Sequence, residues 1–325
     1  MVYYCDNETV DGVEFPGFPK SLEPKGDGQD PIVVADMSSN ILSRRIPVSN
    51  FSVIFFGAQK NLGSTGITVV IIKKNLLPPQ TPQPSATLMR QMGLPIPPII
   101  LQYETIAKNN SLYNTLSIFD VYIAGQVLKN SLKTYSNRVA GQEAVSAAKA
   151  KAIYDALDAH ADVYKIVPAK NVRSRMNICF RVQKGGDVDA AEKEFLKQST
   201  ALGLTGLKGH RSVGGIRASN FLSLKRELKS WPNLSMILQR LKCSLGAVYS
   251  THKKQRHEQH ESKDWDLNYI NYNTPYKNYF ILLIHWLKYQ TLMCCCWFCD
   301  CVRCFHYIFG EDPLVTTRIF LPATD

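Results

Sequence analysis

The sequence predicts an α/β fold. Three short apolar runs, Pro31–Asp36, Ser52–Phe56 and Ile67–Lys73, have the length and β-branched content of strands buried in a sheet. Between and after them lie segments with the apolar spacing of helices that cover such a sheet. The rest of the order follows the same alternation up to about residue 221, where the composition changes.

Each element has its own signal. PIVVAD (31–36) is an apolar run closed by a Ser/Asn turn, and SVIFF (52–56) is closed by Gly57. ITVVIIK (67–73) is the richest in β-branched residues, and continuous runs of this kind suit strands covered on both faces of a parallel or mixed sheet. Leu77–Pro84 is Pro-rich and reads as a loop. Ile118–Lys133 and the Ala-rich Gly141–Leu157 carry helical periodicity and propensity. Asn177–Val182 reads as a strand and Val188–Leu202 as an amphipathic helix.

The chain has 325 residues, enough for one large domain and part of a second, with 45% hydrophobic and 20% charged residues, ordinary for a globular protein. The net charge of +11 comes from scattered Lys and Arg without a basic run, which argues against nucleic acid or membrane as a partner and suits a binder of phosphorylated metabolites. The first residues, MVYYCDNETV, lack the basic-then-apolar pattern of a signal peptide, and Asp6 and Glu8 do not suit a transit peptide. Cys5 and Cys179 are the only cysteines before residue 221, so that part reads as reduced and cytoplasmic.

All four tryptophans and five of the seven histidines follow residue 221, and six of the nine cysteines lie between Cys294 and Cys304. A boundary is therefore expected near Asn220–Phe221, with 222–325 an unrelated tail, disordered or artefactual. Within it, Cys296-x-x-Cys299 and Cys301-x-x-Cys304 stand too close together for a zinc ribbon, and no metal site is expected. The apolar run 280–287 is much shorter than the ~20 residues a membrane span needs, so palmitoylation beside a span is not expected either.

Asp36 closes one apolar run and Lys60 follows the next, and ligands of open α/β sheets sit beyond the carboxyl ends of the strands. A lysine amine can form a Schiff base with an aldehyde cofactor, and a carboxylate can keep a pyridine nitrogen protonated. The segment VVADMSSNILSRRIPVSNFSVIFFGAQKNLGSTGITVVII resembles the cofactor-lysine segment of the phosphoserine aminotransferases. NETVDGVEFP (7–16), NNSLYNT (109–115), RSRMN (173–177) and LKGHRSVGGIRAS (207–219) continue the resemblance in order.

The resemblance implies the type I fold of the pyridoxal-5'-phosphate (PLP) transferases, aspartate-aminotransferase-like. Residues 1–132 would be the C-terminal half of the large PLP-binding domain, and residues 133–221 an incomplete small α+β domain. It also implies roles. Lys60 would be the Schiff-base lysine and proton shuttle, and Asp36 would pair with the pyridine nitrogen. Thr9 would reach the ring hydroxyl and Gln59 the cofactor phosphate. Asn114 and Thr115 would reach the phosphate of a partner's cofactor across a homodimer interface. Arg217 would hold the substrate α-carboxylate, and His210 and Arg211 the substrate phosphate. Arg173 and Arg175 match a family segment but receive no catalytic role, and His160 is expected on the surface.

The implied reaction moves an amino group between glutamate and 3-phosphohydroxypyruvate, giving 2-oxoglutarate and phosphoserine in serine biosynthesis by a ping-pong cycle. The family places its Gly-rich phosphate loop, a ring-stacking aromatic residue and an early His–Arg pair ahead of the segment that begins here. A half-sheet without them would expose an apolar face and an unpaired edge. The alternatives are accordingly an inactive fragment of such an enzyme, or a non-enzymatic partner of a full-length subunit.

Overall fold

The computed structural model describes residues 1–26, 30–183 and 186–222. The tail expectations, with its cysteine pairs and its apolar run, lie outside the described residues.

The first layer is a four-stranded mixed sheet in the order β1 (Val2–Cys5), β4 (Val33–Asp36), β5 (Val53–Gly57), β6 (Thr68–Ile72). β1, β4 and β5 run parallel, with Cys5 opposite Asp36 and Asp36 opposite Phe55, and β6 returns antiparallel. Val33, Ala35, Ile54 and Phe56 point into a core completed by Met37, Ile41, Phe51 and Leu62. The seventeen-residue helix α3 (Ile118–Thr134) adds Ala124 and Leu128, an i, i+4 pair, to the same core. The expectation of strands buried on both faces holds only in part: Val34 of β4 and Phe55 of β5 are half-buried, and β6 departs furthest. Only Ile71 is buried there and Thr68 is exposed, as befits a strand at the rim of the sheet, where fewer elements pack over its side chains.

Between β1 and β4, the antiparallel ribbon of β2 (Asn7–Glu8) and β3 (Val13–Glu14) turns at Gly12, whose φ of +77° suits glycine. A Cβ at Gly12 would also press on the Asn177 carbonyl and, at 3.1 Å, on the Cys179 sulfur. The ribbon thus lies directly on the second sheet. Two short helices that sequence periodicity does not reveal, α1 (Ala86–Gln91) and α2 (Tyr103–Lys108), follow β6. With the segment up to Phe119 they present an apolar surface, on which Met92 is 63% and Phe119 61% exposed.

The second layer is a three-stranded antiparallel sheet, β7 (Tyr164–Ile166), β8 (Asn177–Val182) and β9 (Ile216–Ser219), with β8 in the middle. Helices α4 (Val139–Asp158) and α5 (Val188–Ala201) cover one face. Alternation puts Ile178, Phe180, Val182, Ile216 and Ala218 on that face. Tyr164, Phe180 and Phe195 meet there edge to face, with ring centroids 5.7–6.1 Å apart. Among the alternate residues, Cys179 and Arg217 look out on the other face and reach the ribbon at Val10 and Thr9.

Buried polar groups join the two sheets. The Asn7 amide donates to Ser39 Oγ at 2.7 Å and Asn177 Oδ1 at 3.0 Å, and its oxygen accepts from Ser174 Oγ at 2.5 Å. Arg44 pairs with Asp6 at 2.5 Å and reaches Glu14 at 3.5 Å, and Glu14 also accepts from the Arg175 backbone N–H. Apart from that buried seam, Arg173 forks onto the exposed Asp158 at the end of α4, at 2.7 and 3.0 Å, over the Tyr154 ring. Arg173 and Arg175 are therefore structural ties. His160 is half-buried just past the end of α4, where its carbonyl accepts from Val163 and Tyr164.

Candidate active site

The three parallel strands end on one side of the sheet, and three of the implied site segments leave from there. Thr9 lies beyond β1 in the turn between β2 and β3, held by the Glu8 carboxylate, which accepts from the Val10 and Asp11 N–H groups. Asp36 is the last residue of β4, and Gln59 and Lys60 follow β5. This placement is what sheet topology makes available to a ligand.

Asp36 is held by Ser38, whose N–H and hydroxyl donate to Oδ1 at 2.8 and 2.6 Å. The Gly57 N–H donates to the same Ser38 hydroxyl at 3.3 Å, so the carboxylate is tied to the strand end that leads to the lysine. Lys60 is half-buried, and that burial lowers the pKa of its amine below the ordinary 10.5. The Asp36 charge opposes the shift and the Arg217 charge reinforces it, so the three groups share one electrostatic neighbourhood. The Lys60 ammonium stands 5.7 Å from the centroid of the Phe221 ring.

Arg217 comes from β9 on the other sheet. Its Nη1 donates to the Thr9 carbonyl at 2.9 Å, which ties the substrate-side motif to the segment after β1. Its Nε is buried without a hydrogen-bond partner among the described residues. A buried N–H left open in this way is one arm of a fork suited to a carboxylate. A cavity of about 460 Å³ adjoins Arg217, lined among others by Asp11, Lys165, Cys179, Arg181 and Gly215.

The loop 209–215 joins Lys208 to β9. The Gly209 N–H donates to the Gly215 carbonyl at 2.8 Å and the Gly214 N–H to the His210 carbonyl at 2.8 Å. Gly214 and Gly215 adopt φ of +70° and +76°. His210 Nδ1 lies 2.6 Å from Ser212 Oγ and 3.3 Å from the Ser212 backbone N–H, contacts that hold the ring against its own loop. Arg211 is exposed.

Lys60, Asp36, Thr9 and Arg217 thus come together. Gln59 is exposed, with its amide folded over Gly57. Asn114 and Thr115 are exposed on the apolar surface described above, and Asn114 Oδ1 accepts from the Thr115 N–H. Among the described residues, no hydrogen bond or ion pair links Gln59, Asn114, Thr115, His210 or Arg211 to Lys60 or Asp36. Sequence reasoning missed Ser38, although an Asp followed two residues later by Ser is a recognised turn signal. It also missed Phe221, which carries no local signal, and Asp120, which accepts from Ser64 and Ser117 and secures the loop after Lys60. Among the described residues, no group of three or more His, Cys, Asp or Glu could hold a metal, and no helix is long and apolar enough to cross a membrane.

The family profile described as Aminotransferase class-V matches residues 1–227. The chain belongs to the class-V aminotransferase family. Within it, the chain is similar to the phosphoserine aminotransferase of Saccharomyces cerevisiae, 47% identical over 228 residues, which are 69% of this chain and 55% of that protein. The phosphoserine aminotransferase of Drosophila melanogaster is 47% identical over 218 residues, 67% of this chain and 54% of its own length. The solved phosphoserine aminotransferase from Bacillus circulans subsp. alkalophilus superposes with a TM-score of 0.60 at 36% identity, over 74% of this chain and 59% of that one. The fold is thus the type I fold expected from the sequence, and the chain spans about half the length of the curated relatives it matches.

Proposed function

We propose that this chain carries the lysine, carboxylate and arginine side of a phosphoserine aminotransferase site. The reaction is amino transfer between glutamate and 3-phosphohydroxypyruvate, giving 2-oxoglutarate and phosphoserine, with PLP as cofactor. The observation that carries the reading is Lys60: burial favours its neutral, nucleophilic amine, with Asp36 beside it at the carboxyl end of the parallel strands. When bound, PLP supplies an electron sink for loss of the α-proton.

The residues present suit that group. Lys60 would hold the cofactor through its aldehyde, and its Nζ would carry the α-proton. Asp36, fixed by Ser38, would hold a proton on the pyridine nitrogen. Thr9 would bind the ring hydroxyl, and Gln59, whose amide now folds over Gly57, would bind the phosphate. Arg217 takes the substrate carboxylate on its open Nε side while Thr9 steadies Nη1. His210 and Arg211 face the substrate phosphate.

Asn114 and Thr115 complete the site of a second copy in a cytoplasmic homodimer, and the exposed apolar residues around them, Leu112, Tyr113 and Phe119, support this. The division into large and small domains near residue 132, with the second unit ending near 221, belongs to the same reading: α5 and β7–β9 build a core of their own, while Val139 at the start of α4 still packs in the first core.

The test is the two half-reactions run separately on the PLP-loaded full chain. Glutamate should change the cofactor's absorbance and release 2-oxoglutarate, and 3-phosphohydroxypyruvate should reverse the change and release phosphoserine. A loaded protein that responds to neither overturns the proposal.

A further inference from the structure

Glu192 is an anomaly in α5. It is only 7% exposed, on the helix face that sends Ala191, Phe195 and Ser199 into the core. A carboxylate leaves water at this depth only if hydrogen bonds replace its hydration. Both oxygens are engaged. Oε1 accepts from Arg181 Nε at 2.5 Å, and Oε2 accepts from the Gly215 N–H at 3.2 Å. Arg181 Nη1 then donates to the Val213 carbonyl at 3.0 Å. These bonds close a ring through Glu192, Arg181 and the backbone of 213–215.

The ring grips the loop where its shape is decided. The internal bonds of 209–215 close the loop on itself but do not fix it to the sheet. Directly after Gly215 the chain enters β9, and Arg217 follows two residues later. Holding Val213 and Gly215 therefore sets both where His210 and Arg211 project and where the arginine strand begins.

We infer that Glu192 and Arg181 are positioning residues that hold the 209–215 loop in the shape that receives the substrate's phosphate. The inference rests on the function proposed above and deepens it. Neither residue has to touch the ligand. The charge and the planar fork are both needed: a lysine at 181 offers one ammonium in place of the spaced Nε and Nη1 donors and cannot reproduce both contacts in their present geometry. A glutamine at 192 must turn its NH₂ toward one of two N–H donors and so loses one bond whichever way it lies.

The test uses the full chain with Glu192→Gln, Arg181→Lys and the double variant. Three quantities are read: hydrogen exchange of the 209–215 amides, affinity for O-phospho-L-serine, and the visible absorbance of bound PLP at Lys60. The expected result is faster exchange at Gly215 and about tenfold weaker O-phospho-L-serine binding in each single variant. The cofactor band should be unchanged, and the double variant should be no worse than the singles. Wild-type exchange and affinity in Glu192→Gln overturn the inference. So does an affinity loss that comes with an equal loss of the cofactor band, which is general unfolding. A wild-type chain that binds PLP but not O-phospho-L-serine overturns the proposed substrate, while the exchange data still report whether the ring holds the loop.

Discussion

Gly209→Ala is the sharpest perturbation of the substrate loop. Gly209 has an ordinary backbone conformation, so the substitution tests space alone. An added Cβ would overlap the Gly214 carbonyl oxygen and stand 2.7 Å from the Gly215 oxygen and 2.8 Å from the Gly214 carbonyl carbon. All three are backbone atoms, so no side chain can swing away to make room. Relief requires the two sides of the loop to part by about 1 Å, a displacement that costs on the order of 100-fold where catalytic geometry is at stake. It also strains the bond from Gly209 to the Gly215 carbonyl. For binding we expect a loss of at least tenfold in O-phospho-L-serine affinity, about 1.4 kcal/mol, measured by calorimetric titration. Gly17→Ala is the control, since nothing lies within 4 Å of its Cβ position. Wild-type affinity in Gly209→Ala, with a folded protein, would refute the claim that this loop's closed shape receives the phosphate.

Two further perturbations address the lysine and the seam between the sheets. Asp36→Asn removes the charge that raises the Lys60 pKa and should lower it further, whereas Arg217→Gln should raise it. Amine labelling at Lys60 as a function of pH, read by mass spectrometry, checks both directions. Because the folded amine already titrates below 10.5, the unfolded chain binds more protons between the two values, and this group's contribution to stability rises with pH there. Asp6→Asn removes the nearer of Arg44's two buried carboxylates, leaving Glu14 at 3.5 Å, and should cost roughly 1–3 kcal/mol in urea unfolding. A loss below about 1 kcal/mol would mean that Glu14 alone holds the arginine.

What the sequence revealed follows from where each signal is stored. β8 and α3 carry their apolar pattern in one stretch, and Asn177–Val182 is a strand with those same limits. β7 and β9 are three and four residues long and alternate apolar with charged or polar residues. They are strands because β8 supplies their hydrogen bonds, which no local pattern encodes. α1 and α2 are too short, at six residues each, for periodicity to emerge. β6 was legible as a strand but not as an edge, since burial depends on neighbours.

The site divides in the same way. Asp36 and Lys60 stood out because each follows an apolar run within a family-specific motif, and Arg217 because of the glycine-rich motif ahead of it. Ser38, Phe221 and the Glu192–Arg181 pair act through contacts made only in the folded chain, and Glu192 looks like any surface residue of an amphipathic helix until its burial is seen.

The central claim is that Lys60 captures PLP at a site built by Asp36 and Arg217. The direct measurement is the visible absorbance of the purified chain with PLP, beside Lys60→Ala. We expect a band in the wild-type chain that is absent in Lys60→Ala and that changes on adding glutamate. A folded wild-type chain without the band, or a band that persists in Lys60→Ala, would contradict the account.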